Sequence, residues 1–263
     1  MQFANAYAHI ELLPVAGLAN RLRAMASGIC AAQDTGRPLV IVWQQQHSIC
    51  RGSFRQLFDM TAPLPFKLVE AGFGGPPPYP HRECLSPADW ERFKERDPYK
   101  PLYIKSYGHF HQSDPARWVA ALRSIRPNPS LEMDVGIRFA ELEAACGGPL
   151  VGVHIRRTDH RKAIQLSPTG AFLQQMAAYP AEMHFFLATD DALERGMLAQ
   201  AFPGRVHFGA TNLNRDSEEG GVQAFADLLS LAACREILGS AGSSFSEIAA
   251  AWGGCPLKVV ALA

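Results

Sequence analysis

The stretch Leu150-Val151-Gly152-Val153-His154-Ile155-Arg156-Arg157-Thr158-Asp159 decides how this chain is read. It begins as a short apolar run of strand length and ends abruptly in charge. The chain beyond it is regular. Helical periodicity at 169–178, 191–201, 221–234 and 244–252 alternates with strand-like runs at 184–188, 206–208, 236–238 and 257–262. Alternation at these lengths predicts an α/β domain built on a doubly wound parallel sheet. Such sheets bind ligands beyond the carboxyl ends of their strands. The charged tail of the opening stretch falls there.

Working towards the N-terminus, Leu131, Val135, Phe139 and Leu142 recur at helical spacing, and Gly147-Gly148-Pro149 ends that helix. The segment Arg126-Pro127-Asn128-Pro129-Ser130 is the expected hinge, because two prolines in three residues interrupt a helix. It divides the chain into domains at 1–130 and 131–263. The first domain opens with a β-α-β pattern: a strand at 9–13, the turn Gly17-Leu18-Ala19-Asn20-Arg21-Leu22, a helix ended by Gly36, and a strand at 39–43. Residues 44–99 are less regular. They hold Gly72, Gly74, Gly75 and three consecutive prolines at 76–78, and predict loops, short helices and a strand near 66–69. A strand at 102–107 and a helix at 115–122 complete the domain. There is no internal repeat of solenoid period.

Composition narrows the function. Within 263 residues, 25 Lys+Arg balance 25 Asp+Glu and 48% are hydrophobic, so bulk attraction to nucleic acid or an anionic membrane is not the mode of action. No apolar run approaches the ~20 residues of a membrane helix. The N-terminus shows no basic stretch followed by an apolar one, so no secretory leader is expected. Cys30, Cys50, Cys84, Cys146, Cys234 and Cys255 form no C-x-x-C pair and read as reduced thiols of a cytoplasmic protein. No Cys/His cluster has ligand spacing, so no metal is expected.

Three polar groups fall at predicted strand ends: His154 to Asp159, Thr189-Asp190-Asp191, and the run Gly239-Ser240-Ala241-Gly242-Ser243-Ser244-Phe245. Two adjacent arginines at a strand end can fork onto phosphate oxygens. A Gly/Ser turn opening a helix offers backbone N–H groups to an anion, and its serines also suit helix capping. Asp190 and Asp191 cap a helix or hold a divalent ion, and no third ligand is visible. Asp227 lies in an apolar helix, on its wet edge or aimed at a ligand. His154 is a core histidine or a ligand contact. His109 and His111, alternating with Phe110, form a binding wall or a strand end.

The peptide at 151–159 closely resembles the hallmark of the α1,6-fucosyltransferases, the group of the bacterial Nod-factor and N-glycan core fucosyltransferases, distantly related to the protein O-fucosyltransferases. Residues 185–191 are similar to that family's second peptide. Asp227-Leu228-Leu229-Ser230-Leu231 followed by Gly242-Ser243-Ser244-Phe245-Ser246 is similar to its third. The resemblance covers about residues 150–250, with order and spacing kept, and Gly17 to Leu22 resembles the glycine-rich first turn of the wider superfamily.

The resemblance implies a GT-B fold, two Rossmann-like domains facing a cleft, and an inverting, metal-independent transfer of fucose from GDP-fucose to a hydroxyl of a carbohydrate acceptor. GDP-fucose is then a co-substrate, and no cofactor is required. By position, Arg156 and Arg157 contact the donor diphosphate, with Arg156 indispensable. His154 and Asp227 hold the guanosine. Asp190 sits in the donor pocket, Ser243, Ser244 and Phe245 cradle phosphate, and Asn20 with Gly17 closes over the sugar. One departure stands out. The family's acceptor base is a carboxylate shortly after the first peptide, whereas this chain has His160-Arg161-Lys162-Ala163-Ile164. Asp159 and His160 are the nearest substitutes, and Glu11 or His109 the alternatives. Transfer from another nucleotide sugar, or binding of one without transfer, are the competing readings.

Overall fold

The computed structural model describes residues 8–45, 50–71, 80–96, 99–157, 161–209 and 217–262. The chain forms two compact units, Met1–Asn128 with Arg215–Gly221, and Pro129–Asn214 with Val222–Ala263. Each is an α/β unit on a five-stranded parallel sheet.

Unit 1 contains β1 (Ile10–Pro14), α1 (Leu18–Thr35), β2 (Leu39–Gln44), α2 (Phe54–Leu57), β3 (Lys67–Ala71), β4 (Arg82–Glu83), α3 (Pro87–Arg96), β5 (Leu102–Ser106) and α4 (Pro115–Arg123), with sheet order β3-β2-β1-β5-β4. The β-α-β opening is as expected, and α1 ends where Gly36 adopts φ 65°, a left-handed conformation that glycine enters without a Cβ penalty. Gly72, Gly74, Gly75 and the triple proline lie outside the described residues. Helix α4 starts on Asp114, whose carboxylate accepts from the amides of Ala116 and Arg117, with Pro115 in the first turn. The core includes an aromatic cluster. Trp43 meets Phe54 and Phe58 edge-on, and the fully buried Arg21 lies 4.7 Å from the Trp43 ring centre while donating to the carbonyls of Ala16 and Gln44.

Unit 2 contains α5 (Pro129–Cys146), β6 (Val151–Ile155), α6 (Arg161–Leu166), α7 (Thr169–Ala177), β7 (Phe185–Thr189), α8 (Ala192–Ala201), β8 (Val206–Phe208), most of α9 (Glu218–Ala233), β9 (Glu236–Ser240), α10 (Ser244–Gly253) and β10 (Leu257–Val260), in sheet order β10-β9-β6-β7-β8. Every residue of β6 and β7 is buried, as in a parallel sheet covered on both faces. Val151, Val153 and Ile155 pack with Phe172, Met176 and Leu198 on one face. Gly152 and His154 therefore point to the other face, where α9 and α10 lie: Leu231 and Cys234 close over Gly152, and Phe245 stacks on His154. All six cysteines are free thiols. No helix of the described residues is long and apolar enough to cross a membrane.

Gly17 has an ordinary φ of −65° and open space where a Cβ would stand, whereas Ala16 takes φ 66°. The left-handed residue of the turn is the alanine. A left-handed L-residue costs about 1–2 kcal/mol, and glycine's extra chain entropy about 0.5–1 kcal/mol. Ala16→Gly is therefore expected to raise the melting temperature by about 1–3 °C in thermal denaturation.

Candidate functional site

Strands β9, β6 and β7 are neighbours, in register as His154 to Gly239 and Ile155 to Thr189, so their carboxyl ends emerge side by side. The three polar groups of the sequence meet here. Nη1 of Arg156 lies 2.8 Å from Oδ2 of Asp190, with the two side chains only 19% and 9% exposed. The Asp190 carboxylate also accepts from the amide of Arg157 at 2.8 Å. The amide of Arg156 donates to Oγ of Ser240 at 3.1 Å, and that hydroxyl donates to the carbonyl of His154. Arg156 is thus fixed in backbone and head group, with its charge at the sheet edge.

Arg157 does something different, and corrects the expectation of a twin-arginine fork on the diphosphate. Its side chain is buried and runs back into unit 2. Nε donates to Oε1 of Glu194 at 2.5 Å, Nη1 to the carbonyls of Ser167 and Arg156, and Nη2 to Oγ1 of Thr169. Thr169 in turn donates to the same Glu194 oxygen at 2.6 Å. A guanidinium so engaged ties β6 to α7 and α8. Neither Glu194 nor Thr169 was singled out by the sequence. Asp191 and Glu194 are spaced as a capping box. Asp191 does cap α8, accepting from the amides of Leu193 and Glu194, but Glu194 turns inward to Arg157. Asp191 takes the capping role that the sequence offered, whereas Asp190 pairs with Arg156 at the strand end, a contact the sequence did not suggest.

Ser243 occupies the N-cap position of α10, yet its hydroxyl makes no capping bond and lies 3.5 Å from Nδ1 of His154. The expected side-chain cap is therefore not made by Ser243. A helix start without a side-chain cap keeps backbone N–H groups for an anion. Ser244 begins that helix, and Phe245 stacks on His154 with ring centres 4.8 Å apart. Burial, reinforced by the charge of Arg156, drives the His154 pKa down to about 3. The imidazole is neutral at working pH and keeps one donor and one acceptor nitrogen.

Asp227 is not on a wet edge. It is 8% exposed and lines a cavity of about 410 Å³ within unit 2, with Phe139, Phe186, Phe208 and Arg138 in the walls. Burial raises its pKa to about 6, against the opposing hydrogen bond from Gln223 at 3.1 Å. Gly209 lets the backbone pass the carboxylate, since a Cβ there would collide with Oδ1. His154 faces the same side of the sheet but does not line this cavity. The aromatic walls were invisible in the sequence, where their residues are spread over α5, β7 and β8.

Gly17 and Asn20 belong to unit 1, at the carboxyl end of β1. Of the base candidates, Asp159 and His160 lie outside the described residues. Glu11 is the second residue of β1, with Oε1 3.2 Å from Nε2 of His81. His109 follows β5 and stacks on Trp118 at 5.0 Å, its pKa lowered by burial and then by Arg23. His111 is a structural tie, bonded to Asp34 at 2.7 Å.

No family model matches the chain, and no curated protein matches it. Solved structures do. The fucosyltransferase NodZ from Bradyrhizobium superposes with TM-score 0.63 at 20% identity, covering 93% of each chain. NodZ α-1,6-fucosyltransferase soaked with GDP-fucose gives 0.62 at 20%, covering 93% of this chain and 92% of that one. POFUT1 in complex with GDP gives 0.61 at 12%, covering 98% and 99%. The chain has the fold of these GT-B fucosyltransferases, with two Rossmann-like units.

Two outcomes separate the roles of these residues. Arg157→Ala leaves Glu194 buried without its cation and is expected to cost about 3–5 kcal/mol in chemical denaturation; Arg156→Ala should cost less, because Arg156 is the more exposed of the two and Asp190 keeps the Arg157 amide as a donor. Asp227 has a native pKa above its unfolded value, so its ionisation destabilises the fold fully above pH 6 and not at all below the ordinary carboxylate range. Asp227→Asn removes that cost. It should raise the melting temperature at pH 7.5, with the gain shrinking as pH falls from 6 towards 4.

Proposed function

We propose that the chain is a glycosyltransferase that moves fucose from GDP-fucose to a hydroxyl of a carbohydrate acceptor. The observation that carries this reading is Arg156, held by Asp190 at the joined carboxyl ends of β9, β6 and β7, beside a helix start without a side-chain cap. When the sugar–phosphate bond breaks, negative charge grows on the leaving β-phosphate. A fixed guanidinium and preorganised N–H groups stabilise that charge most in the transition state. Arg156 supplies the positive charge that a divalent ion provides in metal-dependent transfer, and the reading is accordingly metal-independent. Inversion is what the resemblance to the α1,6-fucosyltransferases implies. Guanine suits the Asp227 cavity, because an ionised carboxylate accepts from the ring N–H and amino groups while aromatic walls cover the base faces. The neighbours, recorded with GDP or GDP-fucose, support the same donor. With six free thiols, the reading places the protein in the cytoplasm.

One observation favours a second reading, donor binding without transfer: the stretch after the Arg-Arg-Thr-Asp peptide contains no acid to deprotonate an acceptor.

A nucleotide panel in thermal shift, followed by transfer assays, tests both. GDP and GDP-fucose are expected to raise the melting temperature, the stabilisation reaching about 2.7 kcal/mol at a hundredfold over the dissociation constant, and UDP-sugars to leave it unchanged. Arg156→Ala should lower transfer about 10²–10³-fold while the fold persists. Absence of a shift with any guanine nucleotide overturns the donor assignment. Binding with neither hydrolysis nor transfer to any glycan acceptor establishes the second reading.

A further inference from the structure

At the end of β7 opposite to Asp190, three ligand-type side chains converge. Cys146 is the last residue of α5, His184 immediately precedes β7, and His207 is the middle residue of β8, paired with Phe186. Nδ1 of His184 is 3.0 Å from Nε2 of His207, and Sγ of Cys146 is 3.4 Å from that same nitrogen. All three ligand atoms lie within 4.8 Å of one another, on half-buried side chains. They are spread over 62 positions of sequence, 146 to 207, which is why no local ligand spacing revealed them.

Hydrogen bonding alone serves this arrangement poorly. The Nε2 of a neutral imidazole carries either one proton or one lone pair, and here it faces two partners. A single ion among the three atoms engages all of them. Tetrahedral bonds of about 2.0 Å to nitrogen and 2.3 Å to sulfur place nitrogens about 3.3 Å apart and nitrogen and sulfur about 3.5 Å apart. The two closest spacings are within a few tenths of an ångström of these. One thiolate and two imidazoles form a donor set for a borderline-soft ion, not for a hard one such as Mg²⁺.

We propose that Cys146, His184 and His207 form a site for Zn²⁺ or a like transition-metal ion, with water in the fourth position. Cys146 binds as the thiolate, and its proton passes to solvent. His184 and Asp190 flank opposite ends of β7, about 20 Å apart along an extended strand, so the ion is remote from Arg156. It pins β8, a three-residue edge strand, to the end of α5 and the start of β7. Because His207, Phe208 and Gly209 all line the Asp227 cavity, the ion also stiffens one wall of that cavity.

The test uses the full chain, stripped with a chelator and then titrated with Zn²⁺ against a competing chromophoric chelator and with Co²⁺ by absorption. One ion per chain is expected. Co²⁺ should give the intense tetrahedral visible bands and the near-ultraviolet thiolate charge-transfer band. Zn²⁺ should raise the melting temperature of the stripped wild type. Cys146→Ser should abolish the charge-transfer band, and both it and His184→Gln should weaken Zn²⁺ binding more than about 100-fold, beyond the loss of an outer-shell partner. Each variant should melt like the stripped wild type; if Cys146→Ser does not fold, His184→Gln carries the comparison. Zn²⁺ affinity equal in wild type and variant, or only the weak octahedral Co²⁺ spectrum, overturns the proposal. These measurements stand whether or not the chain binds a guanine nucleotide.

Discussion

The guanidinium of Arg157 is the fixed point of unit 2. A buried cation must find partners, and this one finds them on α7, on α8 and on the segment before α7. That requirement sets where the chain can go after β6. With Arg157 drawn inward and its amide bonded to Asp190, the preceding residue is left facing the sheet edge. The position of Arg156 is thus a by-product of satisfying Arg157. One arginine is thereby buried and the other held by Asp190 at the sheet edge.

The same economy runs through the site. Asp190 aligns an arginine and the next residue caps a helix. Ser240 couples the end of β9 to the backbone of β6 through a single hydroxyl. His154 and Asp227 share a face of the sheet but differ in charge at neutral pH, one kept neutral and one ionised at a cost. Their protonation states complement each other: the first presents paired donor and acceptor nitrogens, the second two acceptor oxygens.

Much of this was legible in the sequence, for identifiable reasons. The strands of unit 2 were visible because buried parallel strands are continuous apolar runs, and their polar ends marked the site because the apolar run stops where the sheet does. Helix α6 was not anticipated. Arg161 to Leu166 is too short to show a period, and its neighbours 158–160 carry the polar signal of a loop. Arg157 was misassigned because two adjacent arginines look alike in sequence, while the partner that separates them, Glu194, sits 37 positions away behind what reads as a capping motif. The cavity around Asp227 and the Cys146–His184–His207 group were illegible for the same reason. Each is assembled by strand pairing and helix packing from residues that have no local relation.

The segment Arg215–Gly221 belongs to unit 1, where Glu218 accepts a 3.0 Å hydrogen bond from Gln56, although it comes after much of unit 2 in the chain. This has a consequence for biosynthesis. A ribosome has released all of Met1–Asn128 well before it makes that segment, and at about 5–20 residues per second the wait is about 5–20 s. The N-terminal half cannot complete its native contacts during that interval, while α5, β6 and β7 are already emerging. Unit 1 therefore gains its last contacts only after much of unit 2 has been made.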